Sequence, residues 1–165
     1  MLLSEVLPQY DVRKRRAIDL VAPADRVWQA LHETTIGESK IAHLLFRLRG
    51  LPSDATGSIL ELEGFRRLAE EPGREVVVGA VGRPWFPRAS LVRDADPRTF
   101  REPGYALMAL NVTYDGAELA TETRVRCTDG RSRFRFQLYW LVVGFFSGVV
   151  REDWLRAVRR RVAAG

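Results

Sequence analysis

The sequence predicts an α+β fold, in which a largely antiparallel sheet is covered by a long C-terminal helix. Three observations lead there. An early strand pattern runs into two helical stretches. Short segments punctuated by Gly and Pro then fill the chain up to about residue 128. From there to the end, apolar residues recur at helical spacing. A sheet with one polar face must cover its other face, and the last helix supplies the cover.

Taken in order, RKRRAIDLVA (13–22) places Ile18 and Leu20 on one face of a strand and Asp19 on the other. APADRVWQALHE follows as a helix. Pro23 suits its first position, Asp25 suits the dipole in the first turn, and Val27, Trp28, Ala30 and Leu31 form its apolar face. After Gly37, ESKIAHLLFRLRGL predicts a second helix through Ile41, Leu44, Leu45 and Leu48. Pro52 and Gly57 mark a loop.

SILELEG and FRRLAEE read as short strands around Gly64, and REVVVGAVGRPW as a strand entered by a Pro72–Gly73 turn. Gly79 and Gly82 are expected to let that strand bend. The run 97–116 reads as one long strand with a bulge or edge at Pro103–Gly104. Tyr114-Asp115-Gly116 signals a hairpin into ELATETRVRCTD. There Leu119, Thr121, Thr123, Val125 and Cys127 share one face, while Glu122, Arg124 and Arg126 share the other, read as solvent-facing.

FQLYWLVVGFFSGVV, residues 136–150, carries no charged side chain. A bilayer span needs about 20 apolar residues. This run is shorter, contains Gln137, Gly144, Ser147 and Gly148, and flows directly into an amphipathic stretch with Trp154, Leu155, Val158 and Val162. The reading is one helix with no transmembrane segment, its first half mostly buried, with a kink or short break at Gly144 to Gly148.

The chain has 165 residues, fitting a single domain, with 46% hydrophobic and 28% charged residues and a net charge of +5. Every basic residue is Arg except Lys14 and Lys40. The lone Cys127 cannot form an internal disulfide, and the N-terminus lacks signal-peptide features, so a reduced, cytoplasmic protein is expected.

VAPADRVWQAL near the start, and Thr121 to Val125 leading into Tyr139-Trp140 and then Ser147 to Arg151, resemble the helix-grip superfamily of START-like domains and polyketide cyclases or dehydratases. The resemblance spans nearly the whole chain. It implies one ligand-binding domain over 1–165, a curved antiparallel sheet gripping the C-terminal helix, an apolar cavity between them, and two short helices closing one end. The superfamily offers no shared catalytic motif, so fold does not fix function.

Cofactor and metal sites are not expected. His32 and His43 are the only histidines and lack short-spaced partners. Cys127 sits outside any nucleophile motif, and no G-x-G-x-x-G is present. Arg156, Arg159, Arg160, Arg161 and Arg151 crowd the last helix, but Glu152 and Asp153 interrupt them. They read as a solvated helix C-terminus, with no nucleic-acid partner expected.

The cavity remains. Leu44, Phe65, Val77, Trp85, Leu107, Phe145 and Phe146 are its expected apolar lining. Tyr105, Thr121, Thr123 and Tyr139 complete it, the first three able to orient a polar ligand end. The expected function is binding of a small hydrophobic molecule: a lipid, fatty acid or polyketide-like compound. A cyclase or dehydratase would use Tyr105, Tyr139, His43 or Glu63 to move protons in the same place. A ligand-free interaction domain would expose 136–150 as a homodimer face.

Overall fold

The computed structural model describes residues 1–35, 60, 64–86 and 90–165. The expected second helix and most of the strand over 58–64, with Leu44, His43 and Glu63, lie outside the described residues. The elements in chain order are α1 (Leu2–Val6), β1 (Val12–Asp19), α2 (Ala24–Glu33), β2 (Arg66–Glu71), β3 (Glu75–Arg83), β4 (Ser90–Leu91), β5 (Ala106–Tyr114), β6 (Glu118–Cys127) and α3 (Gly130–Ala164).

The antiparallel sheet runs β1-β6-β5-β3-β2, with β4 pairing on β3. It curves around α3 in a helix-grip arrangement. Each connection follows from turn chemistry. Gly73 and Gly116 take positive φ at the β2–β3 and β5–β6 turns. At the latter, Asp115 Oδ1 accepts the amides of Ala117 and Glu118. Register sets the faces: Val12, Lys14, Arg16 and Ile18 of β1 pair with Val125, Thr123, Thr121 and Leu119 of β6, and all look toward α3.

The helix-side core is packed solidly over the C-terminal half of α3. Trp154, Leu155 and Val158, each at most 1% exposed, lie among Val76, Val78, Leu110 and Val112. α2 closes this end with Val27, Ala30 and Leu31. Tyr114 ties the α2 entry to the hairpin, its hydroxyl donating to Ala22 O at 2.6 Å and accepting from Ala22 N at 3.0 Å.

Four expectations are corrected. The strand does not run through Pro103–Gly104: residues 97–105 form turns and irregular chain, Gly104 has φ +92°, and β5 starts at Ala106. The last helix runs unbroken from Gly130 to Ala164, through Gly144 and Gly148. A Cβ on Gly144 would come within 2.8 Å of the Trp140 indole nitrogen, and one on Gly148 within 2.7 Å of Arg16 Nη2. Gly79 and Gly82 likewise admit near neighbours, including Met108 O and Ser90 O, each 2.8 Å from the missing Cβ.

Third, the outer face of the sheet is not left to solvent. α1 lays Leu3, Val6 and Leu7 on Leu68, Val77, Val81, Leu107 and Ala109. Beneath it, Glu122 and Arg124 are 3% and 6% exposed, and only Arg126 stays outside. Arg124 Nε donates to Glu122 Oε1 at 2.7 Å and its Nη1 to Leu7 O at 3.1 Å. Glu75 receives the α1 amides of Leu2 and Leu3 at 2.7 and 3.1 Å, groups that a helix start leaves without internal partners. Fourth, only part of 136–150 is buried, because the sheet holds one side of the helix there and leaves the other open.

Candidate functional site: the seam between β1 and α3

The N-terminal half of α3 is set by its cap. Asp129 accepts from Ser132 N at 2.9 Å and Ser132 Oγ at 2.8 Å, and also from Gly104 N. These hydrogen bonds, the Ser132 amide foremost, hold its carboxyl down to about 2. The helix then presents two different faces. Phe136, Gly144, Gly148 and Arg151 point inward. Phe134, Leu138, Leu141, Val142, Phe145 and Phe146 are 40 to 80% exposed, recurring every three or four residues along one side. Residues 136–150 are therefore gripped along one side only. No helix among the described residues is long and apolar enough to cross a membrane.

Beside this exposed stripe lies a groove of about 670 Å³. Val12, Lys14 and Arg16 of the edge strand β1 form one wall. α3 forms the other, from Phe134 through Leu138, Trp140 and Leu141 to Phe145. Its inner end meets an aromatic cluster: Phe136 stacks on Trp140 at 5.4 Å and tilts against Tyr139 at 5.8 Å, with Trp85, Met108 and Val125 packed alongside. The indole N–H groups of Trp85 and Trp140 are buried and have no acceptor among the described residues. Buried donors of this kind are seldom left unmatched.

Arg151 underlies the same seam at 4% exposure. Its Nη1 donates to Thr123 Oγ1 at 2.8 Å and Lys14 O at 3.1 Å, and its Nε to Ser147 O at 3.2 Å. Its Nη2 has no acceptor among the described residues. Burial, helped by the charge of Arg16, lowers the guanidinium to about 10. The reading of Arg151 as part of a solvated cluster is thus corrected.

The expected lining residues fall in different parts of the fold. Trp85 and Tyr139 meet in the aromatic cluster, Thr123 holds Arg151, and Phe145 lines the groove. Thr121 faces α3 but spends its hydroxyl on Asn111 O at 2.8 Å, and Phe65 packs on the filled core. Phe146 is 40% exposed outside that core. Val77, Leu107 and Tyr105 look the other way. The first two lie under α1, while Tyr105 meets Phe100 edge-on at 5.0 Å and carries Arg83 4.3 Å above its ring. A strand's side chains alternate, so choosing the wrong parity on β3 and β5 exchanges inner for outer neighbours.

Lys14, Arg16, Trp140 and Arg151 were not among the expected lining residues. The signal for the first two lay in period two: with Ile18 facing the helix, Arg16 and Lys14 share its face. Cys127 is buried and its thiol is pushed up to about 12, chiefly by burial, which keeps it un-ionised and inert at neutral pH.

No protein-family model matches the chain, and no curated protein matches it. Among solved structures, TTHA0849 from Thermus thermophilus aligns at 12% identity and a TM-score of 0.35, covering 93% of this chain and 98% of that one. CalU16 from Micromonospora echinospora aligns at 16% identity and a TM-score of 0.34, covering 92% and 83%. Superpositions at that level carry no argument, and the arrangement described above rests on sheet register and helix packing.

Proposed function

We propose that the protein binds a small hydrophobic molecule, of the lipid, fatty-acid or polyketide-like class, in the seam between the sheet and the C-terminal helix. The observation that carries this reading is the groove itself: an apolar helix wall beside a buried indole N–H of Trp140 that has no acceptor among the described residues. Its volume of about 670 Å³ falls within the range of small-molecule sites, roughly 300 to 1,000 Å³. The C-terminal half of α3 is filled by its own side chains, which leaves the N-terminal half as the place for a ligand. Covering apolar wall supplies affinity at about 25 cal/mol per Å².

A cyclase or dehydratase needs titratable groups converging on the bound molecule. The ionisable side chains lining the groove among the described residues are the cations Lys14 and Arg16, which favours binding over proton transfer. Native mass spectrometry of the purified protein tests the reading. A co-purified apolar species released on unfolding is expected; an apo mass, together with no uptake of added fatty acid, would refute it.

One observation favours a second reading. The stripe from Phe134 to Phe146 leaves apolar surface open on one helix side. A homodimer joined along it would double the mass seen by light scattering, whereas a constant monomer mass at all concentrations would remove this reading.

A further inference from the structure

The chemistry of the ligand's polar end follows from where cations lack partners, an argument that rests on the binding site proposed above. β1 carries cations on both faces. On the outer face Arg13 meets Glu122 at 2.8 Å and Arg15 meets Glu118. On the groove face Lys14 and Arg16 have no carboxylate partner among the described residues, and neither has Arg151 behind them. The cross-strand neighbours of Lys14 and Arg16 on β6 are Thr123 and Thr121, which bear no charge.

Arg151 makes the contrast sharper. An exposed lysine without a partner is ordinary. A guanidinium 4% exposed, with no acceptor for Nη2 and no counter-charge among the described residues, is not, because removing a charge from water unpaired is costly. The nearest added cation, Arg16, raises that cost. Its guanidinium reaches into the seam over Gly148, Nη2 lying 2.7 Å from where a Cβ would stand. Trp140, in the groove wall, keeps a buried indole N–H that has no acceptor among the described residues. The donors gathered here include three cations, Lys14, Arg16 and Arg151, that meet no carboxylate among the described residues.

We infer that the groove takes an anionic amphiphile, its head drawn to Lys14 and Arg16, with the buried charge of Arg151 behind them, and its hydrocarbon lying along Leu138, Leu141 and Phe145. Carboxylate and phosphate monoester share the needed chemistry of clustered acceptor oxygens on a negative charge. An uncharged head could accept hydrogen bonds here but would leave the positive charges uncompensated, and a cationic head would be repelled.

Calorimetric titration of the whole protein with decanoate, decyl phosphate and decanol, all below micelle formation, tests this. The anionic compounds are expected to bind about tenfold or more tightly than decanol. The better of the two anions identifies the head. Lys14→Gln and Arg16→Gln, both at a strand edge and tolerable to the fold, are each expected to reduce the preference for the anion about fivefold. Equal affinity for decanoate and decanol, or variants that leave the preference intact, would overturn the head-group assignment while the hydrophobic-ligand reading stood. Failure of all three compounds to bind would overturn both.

Discussion

Two arginines in this protein are almost equally buried but differently partnered, and their replacement by methionine separates what each does. Arg124, 6% exposed, donates to Glu122, Leu7 O and Ser4 Oγ. Arg151, 4% exposed, meets uncharged acceptors alone among the described residues. For Arg151, lowering the guanidinium from 12.5 to about 10 corresponds to about 3 kcal/mol of cost for keeping the charge there. Its hydrogen bonds to Ser147, Lys14 and Thr123 return about 1 kcal/mol each. The two contributions nearly cancel, so Arg151→Met should change stability by less than about 1 kcal/mol. Arg124→Met instead strands Glu122, which keeps only Arg13, and should cost about 3 kcal/mol. With a urea slope of about 2 kcal/mol per M, the midpoint should fall by about 1.5 M for Arg124→Met and by less than about 0.5 M for Arg151→Met. Raising the pH through about 10 relieves the Arg151 charge in the folded state before the unfolded one. Its cost therefore shrinks as pH rises. Equal losses for the two variants would refute the reasoning, since they would mean that the missing counter-charge does not matter.

Two further outcomes follow from the caps. The folded-state value of about 2 at Asp129 lies below its ordinary 3.8, so its stabilisation is whole above about pH 4 and fades as pH falls toward 2. Asp129→Ala should flatten that acid limb in urea titrations, and parallel curves for parent and variant would clear Asp129 of the role. Glu75→Ala removes the acceptor for Leu2 N, Leu3 N and Asn111 Nδ2. A five-residue helix cannot persist unaided, so hydrogen exchange at Leu3 to Leu7 should accelerate at least about tenfold, with about 2 kcal/mol lost overall. Unchanged protection there would show that apolar contact alone holds α1.

Legibility followed the range of the interactions. β1, α2, the β5–β6 hairpin and the long helix each announce themselves through local pattern, and the shared face of Leu119, Thr121, Thr123, Val125 and Cys127 was readable from period two. Pro103–Gly104 misled because a Pro-Gly pair fits a strand bulge or an irregular approach equally well, and Asp129, which draws in Gly104 N, lies far along the chain. Glu122 and Arg124 looked solvent-facing because nothing near them in sequence reveals α1, more than a hundred residues away, lying on top. Within the site, Thr123, Trp85, Tyr139 and Phe145 were visible as candidates. From Val76 to Val81 every residue of β3 is apolar or Gly, which leaves no alternation from which to choose the face of Val77.

The sequence by itself determined that strands would form a sheet needing a helix to cover it, because hydrophobic period and turn residues act over a few neighbours. Which side of 136–150 the sheet holds emerges in three dimensions alone, as does the burial of Arg151 with no acid among the described residues while its near-twin Arg124 has one. Those outcomes depend on which distant side chains arrive at the same place. Charge burial and pairing are properties of that meeting, which no single stretch of chain contains.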